Sequence, residues 1–232
     1  MLFRSGYLAF TGNGRFNTTS GNGAFTGSGN CNTTIAGYAF TGSGFNNTTA
    51  SCLGTILNGQ NNRVCSQSLG GAVLGGTGNI VNSCCGVPSH IGGGAMNYIG
   101  NSTTYSAYCV ANGNCLYLNG DQTANFNIGD EILFYNTCDK VAFANTITCS
   151  TYSGGYTEII GNYFGANGNT SGSARNLTTS FTSGFGQVIG GGLGNTSSGC
   201  FSSTINGTCN TTSGTYAFTG NGRFNTTSGD FA

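Results

Sequence analysis

The tripeptide Asn-Thr-Thr returns in this chain at a fixed interval: Asn17-Thr18-Thr19, Asn32-Thr33-Thr34 and Asn47-Thr48-Thr49 are each 15 residues apart, as are Ala9-Phe10-Thr11-Gly12, Ala24-Phe25-Thr26-Gly27 and Ala39-Phe40-Thr41-Gly42. The unit returns late in the sequence, where residues 215–227 nearly repeat residues 6–19 and Asn210 precedes Asn225 by another 15. A short fixed period dictates an array. Each repeat is one small supersecondary unit that buries its inner side only by stacking on its neighbours.

The unit has no room for a helix. Gly or Asn at roughly every third position and no run of helix formers read as two short strands and two tight turns, one coil of a parallel β-solenoid (β-roll). Stacked coils place equivalent residues about 4.8 Å apart. The period therefore predicts a ladder of Phe10, Phe25 and Phe40, expected to face inward and supply apolar burial, and a ladder of Asn17, Asn32 and Asn47 that holds a turn in register.

The sharpest motif is Gly-x-Gly-x-x-Asn, at Gly12/Gly14/Asn17, Gly27/Gly29/Asn32, Gly42/Gly44/Asn47, Gly92/Gly94/Asn97, Gly190/Gly192/Asn195 and Gly220/Gly222/Asn225. A dinucleotide-binding glycine loop needs a single copy between a strand and a helix. Repetition argues for turns instead, with Gly supplying positive φ and Asn bonding its own backbone.

Net charge is zero from 6 Lys+Arg and 6 Asp+Glu, and only 5% of residues are charged. Nucleic acid and anionic membrane surfaces lose their electrostatic basis without a basic patch. Hydrophobic residues at 37% and aromatic residues at 12%, placed periodically, argue for order. A lone Gly-rich solenoid has a thin core, so lateral association is expected to add burial. No stretch of about 18 apolar residues is present to span a membrane.

Five of the six acidic residues, Asp121, Asp130, Glu131, Asp139 and Glu158, fall between Cys109 and Gly161, where the 15-residue beat is lost. Strand-like runs there cover residues 116–121, 126–135, 141–144 and 156–160, separated by Asn-Gly, Gly-Asp and Gly-Gly turns. The chain thus divides into solenoid repeats over residues 1–102, a small all-β insertion over 103–165, a Gly/Ser/Thr-rich return segment over 166–187 and further solenoid repeats over 188–232.

The stretches Ser89-His90-Ile91-Gly92-Gly93-Gly94-Ala95-Met96-Asn97-Tyr98-Ile99 and Gln187-Val188-Ile189-Gly190-Gly191-Gly192-Leu193-Gly194-Asn195-Thr196 resemble the Gly-rich head repeats of trimeric autotransporter adhesins and of phage or large-virus tail fibres. The resemblance covers roughly residues 6–100 and 188–232; the 15-residue beat is slightly longer than the usual adhesin head repeat, and Phe stands where an aliphatic residue is typical. It implies a β-roll that associates as a homotrimer and an extracellular location on a virion fibre or cell surface. The array reaches Ala232 in mid-unit and Met1-Leu2-Phe3-Arg4-Ser5 carries no signal-peptide pattern, which reads as a segment of a longer fibre.

Eleven cysteines, Cys31, Cys52, Cys65, Cys84, Cys85, Cys109, Cys115, Cys138, Cys149, Cys200 and Cys209, include no Cys-x-x-Cys pair, and His90 is the single histidine, so zinc has no support. In an oxidising compartment Cys109 with Cys115 and Cys138 with Cys149 would close loops in the insertion, each contributing about 2–4 kcal/mol. The alternative is that cysteines serve as small buried apolar residues.

Asn-x-Ser/Thr sequons occur at Asn17, Asn32, Asn46, Asn47, Asn101, Asn169, Asn176, Asn195, Asn206, Asn210 and Asn225, as a repeat rich in Asn and Thr produces in any case. Asp121, Asp130, Glu131 and Asp139 lack EF-hand or nonapeptide calcium spacing and read as solvated loop charges. With no nucleophile–base pattern, neither catalytic, cofactor-binding nor metal-ligating residues are assigned, and the chain is not expected to be an enzyme.

The function expected from these features is structural: an attachment fibre or head segment of a phage or virus, with a bacterial surface adhesin next. The inserted loops are expected to contact a cell-surface glycan or protein receptor, with Tyr117, Phe134, Tyr135 and Tyr156 as candidate sugar-stacking rings. A different class is an ice-binding or self-assembling matrix solenoid, for which Thr18/Thr33/Thr48 and Thr11/Thr26/Thr41 would supply regular files.

Overall fold

The computed structural model describes residues 3–66, 68–83, 88–100, 105–136, 141–164, 168–177 and 186–232, and among them it contains only strands, bridges, turns and bends. The chain forms two units, residues 1–102 with 180–232, and residues 103–179.

The first unit is a parallel β-solenoid. Each coil contributes one two-residue strand to a nine-stranded sheet running from Phe10–Thr11 to Phe218–Thr219, and one to a ten-stranded sheet running from Phe3–Arg4 to Thr226–Thr227. A third side, absent from the two-strand reading of the repeat, is a file of single parallel bridges through Arg15, Asn30, Phe45, Gln60, Thr77, Ala95, Leu193, Thr208 and Arg223. Coiling continues past Leu53, where the 15-residue beat is lost. Asn62 to Asn79 takes 17 residues and Asn79 to Asn97 takes 18, yet the strands stay in register, Thr55 on Ala72 and Ala72 on His90.

The asparagine ladder forms as the period predicts. Asn17 Oδ1 accepts the Asn32 backbone N–H at 2.9 Å, Asn32 Oδ1 that of Asn47 at 3.0 Å and Asn47 Oδ1 that of Asn62 at 2.9 Å. The ladder continues through Asn79, Asn97, Asn195 and Asn210 to Asn225. Each amide nitrogen also ties two turns together; Asn32 Nδ2 donates to the Ser28 carbonyl at 3.0 Å and to the Gly44 carbonyl of the next coil at 2.9 Å. Asn17, Asn32 and Asn47 are wholly buried.

The aromatic ladder forms too, but on the outside. Phe10 stacks on Phe25 and Phe25 on Phe40 with ring centroids 4.9 and 5.1 Å apart, and Phe10 is 49% exposed. Successive side chains of a strand face opposite ways, so in each Phe-Thr pair only one can enter the lumen. The lumen is too narrow for a phenyl ring, because threonines of the two sheets touch across it. Thr11, Thr19, Thr26, Thr34, Thr41 and Thr49 form a zigzag of hydroxyl hydrogen bonds of 2.8, 2.6, 2.8, 2.7 and 2.8 Å. Farther along, the same inward positions hold Ile56, Val64, Val73, Val81, Ile91, Ile99 and Ile189, all fully buried. Ser197, Thr204, Thr212, Thr219 and Thr227 then take over, and the last four bond as the first six do. Valine is nearly isosteric with threonine, which is why one lumen accepts both.

The second unit is a single antiparallel sheet of seven strands, in the order Val141–Thr146, Glu131–Asn136, Gly168–Asn176, Tyr105–Ala111, Cys115–Asn119, Tyr156–Ile160 and Cys149–Ser153. One face packs on Ala107, Val110, Leu116, Leu118, Phe126, Ile132, Phe134, Ile147, Ile159, Phe164 and Ala174. Gly168–Asn176 lies in the stretch read from sequence as a return segment; it is instead an interior strand, paired on both edges. Phe126, expected in a strand, sits in the turn before one and fills the core.

Candidate functional site

Strand alternation sorts the second unit's side chains into two faces. Leu116, Leu118, Thr157 and Ile159 are buried on one; Cys115, Tyr117, Asn119, Tyr156 and Glu158 lie on the other. Tyr117 and Glu158 are directly opposed across neighbouring strands. Glu158 Oε1 accepts the Tyr117 hydroxyl at 3.2 Å and the Cys115 thiol at 3.1 Å, so one carboxylate oxygen is held by two donors from one strand. The Cys115 sulfur, burial and the Glu158 carboxylate together hold the Tyr117 phenol well above its usual titration range.

A register shift between Ala107 and Cys109 makes Tyr108 the extra residue of a bulge, on the outer face next to the buried Ala107. Its ring stacks on Tyr156 at 5.1 Å and 25° and is 48% exposed. The outer face therefore presents a stacked tyrosine pair, the exposed Asn119 and Thr151, and the clamped Tyr117–Glu158 pair. Rings beside a fixed carboxylate and amide match the amphipathic chemistry of carbohydrate recognition, which needs an apolar surface and directional hydrogen-bonding groups together.

Of the four rings singled out from sequence, Tyr117 and Tyr156 belong to this face. Phe134 does not: it is fully buried, edge-on to Phe164. Tyr135 is half-buried in the Glu131–Asn136 strand, opposite Ala142 and Ser173. Tyr108 was not among the rings singled out from sequence; alternation with the buried Ala107 puts it on this face.

The cysteine pairings weighed for the insertion are not seen among the described residues. Cys115 is opposite Ala111 rather than Cys109, and its thiol donates to Glu158 Oε1. Cys149 is free; its expected partner Cys138 lies outside the described residues. The acidic loop residues serve their own turns: Asp121 Oδ1 accepts from the Thr123 hydroxyl and backbone N–H, which lowers its titration range, and Asp130 Oδ2 accepts from the Asn127 N–H. Asp139 lies outside the described residues. No group of three or more His, Cys, Asp or Glu able to hold a metal occurs among the described residues.

On the solenoid, Thr18, Thr33 and Thr48 form one outward file that ends at Arg63, while Thr11, Thr26 and Thr41 point into the lumen. The two threonine files thus lie on different sides of the wall. Exposed rings stack again at a corner, Phe201 on Tyr216 at 5.1 Å and Tyr216 on Phe231 at 5.3 Å. No helix among the described residues is long and apolar enough to cross a membrane. No protein-family model matches the chain, and no curated protein matches it.

Proposed function

We propose that the chain is a segment of an attachment fibre of a virion or cell surface, in which the solenoid is a stiff scaffold and the inserted sheet supplies recognition, through its Tyr108–Tyr156–Glu158 face, of a surface carbohydrate. The observation that carries this reading is the continuity of the scaffold across the insertion. Asn97 Oδ1 accepts the Asn195 N–H at 3.0 Å, Ile91 pairs with Ile189, and the two residues of the asparagine step are 98 apart in sequence. A whole module is spliced into one corner while the stacking around it stays in register. That arrangement suits a scaffold whose task is to carry a module. The outward Phe10–Phe25–Phe40 stack, with Phe10 exposed and the other two half-buried, supports lateral association of copies, for which a homotrimer is the proposed form, because outward rings gain by being covered.

The test removes residues 101–186 and joins Gly100 to Gln187 through the three-residue turn Gly-Asn-Gly that joins the equivalent Ser20 and Ala24, beside a Tyr108→Ser/Tyr156→Ser variant of the full chain. Both are screened against immobilised surface glycans. The reading expects a folded solenoid without glycan binding from the first and weakened binding from the second. Unchanged binding in both would overturn it, and light scattering of the full chain reports the oligomer.

A further inference from the structure

Five asparagines of Asn-x-Ser/Thr sequons, Asn17, Asn32, Asn47, Asn195 and Asn210, are wholly buried, and their side-chain amides are what hold the coils in register. The nitrogen that would carry a glycan, Nδ2, already donates two hydrogen bonds: in Asn47 to the Ser43 carbonyl at 3.1 Å and the Gly59 carbonyl at 2.9 Å, in Asn210 to the Asn206 and Gly222 carbonyls at 3.1 Å each. An N-linked sugar consumes one of these protons and has no space beside a buried ladder. Asn46 and Asn206, by contrast, are exposed and off the ladder.

The cysteines add an independent observation. Coils spaced at a strand-to-strand distance would bring two cysteines stacked on one another within disulfide reach. Backbone pairing instead sets Cys31 at the coil position of Asn46, Cys52 at that of Gly37, Cys200 at that of Thr215 and Cys209 at that of Phe224. None of these four stacks on another cysteine, so none of them cross-links the coils that the asparagines hold.

We infer that the solenoid and N-glycosylation of its ladder are mutually exclusive, so that the chain folds in a compartment without asparagine glycosylation and reaches any extracellular site already folded. A newly made chain in a glycosylating compartment presents these sequons before the coils close. Sugar at any one of Asn17, Asn32 or Asn47 interrupts the stack there, because each coil depends on its neighbours.

The experiment expresses the full chain in a bacterial cytosol and, behind a signal sequence, through the secretory route of a glycosylating eukaryotic host. A second chain replaces the inner file, Thr11, Thr19, Thr26, Thr34, Thr41, Thr49, Thr204, Thr212, Thr219 and Thr227 by Val and Ser197 by Ala. That removes the ladder sequons at their third residue, with side chains the middle coils already accommodate, and leaves those at Asn46 and Asn206. Both chains are expected to give a trypsin-resistant β-rich product in the cytosol, which shows that the substituted chain folds. Along the secretory route the original chain is expected to carry glycan on ladder asparagines by peptide mass mapping and to be trypsin-sensitive. The substituted chain is expected to yield several-fold more resistant product. A secreted, trypsin-resistant original chain would overturn the inference, whether its ladder asparagines are glycosylated or unmodified.

Discussion

Thr19 Oγ1 donates to Thr26 Oγ1 at 2.6 Å across the lumen, joining the two sheets through a pair of hydroxyls where an apolar contact is the usual device. Each hydroxyl between the two ends of the zigzag both donates and accepts, so its members depend on one another. Thr34→Val alone strands the Thr26 donor and the Thr41 acceptor and is expected to cost about 1–3 kcal/mol, whereas replacing the whole file from Thr11 to Thr49 by valine removes both partners at once and is expected to be neutral or stabilising. Urea denaturation of the single and sixfold variants checks the reversal of sign.

The outward placement of the phenylalanines separates two adjacent substitutions. Phe25→Asp loses two ring stacks, about 1–2 kcal/mol, and should leave the circular dichroism spectrum intact. Thr26→Asp puts an unpaired carboxylate into a closed lumen and should abolish the cooperative transition. Equal outcomes for the two would refute the assignment of faces.

The period and the asparagine ladder were legible in the sequence, because a ladder repeats its own side chain and Asn17, Asn32 and Asn47 announce it. The facing of the strands was not. Two residues carry no alternation to count, and the rule that apolar residues go inside chose Phe over Thr, where the width of the lumen chose Thr. In coils 53–100 the spacing grows, but Asn62, Asn79 and Asn97 still stand two residues before Val64, Val81 and Ile99; following that pair rather than the count of residues would have traced the solenoid. Gly168–Asn176 reads as a linker because its Gly and Asn residues are poor strand formers and its small polar residues show no apolar alternation, and its place between two other strands overrides that.

Loss of one rung is expected to be costly and local. Asn32→Ala removes the acceptor of the Asn47 N–H and both donors to neighbouring carbonyls, about 2–4 kcal/mol. Asn46→Ala, at an exposed residue whose side chain bonds only the Asn61 side chain, should cost about 1 kcal/mol, chiefly because its φ of +54° suits Asn better than Ala. Paired melting curves compare the neighbours.

Glycine matters where one coil presses on the next. Gly29 has φ +100°, and a Cβ there would overlap the Gly44 carbonyl oxygen, so Gly29→Ala should destabilise strongly. Gly93 faces open space, and Gly93→Ala should be tolerated. Limited proteolysis distinguishes the two.

Alkaline pH is expected to weaken the inserted sheet through Tyr117. Its phenol titrates higher in the fold than its ordinary value of 10.0, so above that pH the unfolded chain releases a proton that the folded chain retains. The contribution is fully present below pH 10.0 and declines as pH rises beyond it. Tyr117→Phe should flatten this decline, read from near-ultraviolet circular dichroism of the two proteins against pH.

The aliphatic stretch of the lumen, Ile56 to Ile189, occupies the middle of the solenoid, and the insertion leaves the coil within it, between Ile99 and Ile189. Hydroxyl pairs at either end are readily exchanged for water; methyl groups are not. Under heat or pulling, the hydroxyl-lined coils should open before the aliphatic ones, with those that bracket the insertion parting last. Wear thus loosens the flanking coils before it reaches those from which the inserted sheet departs, as a rope frays while its knot holds.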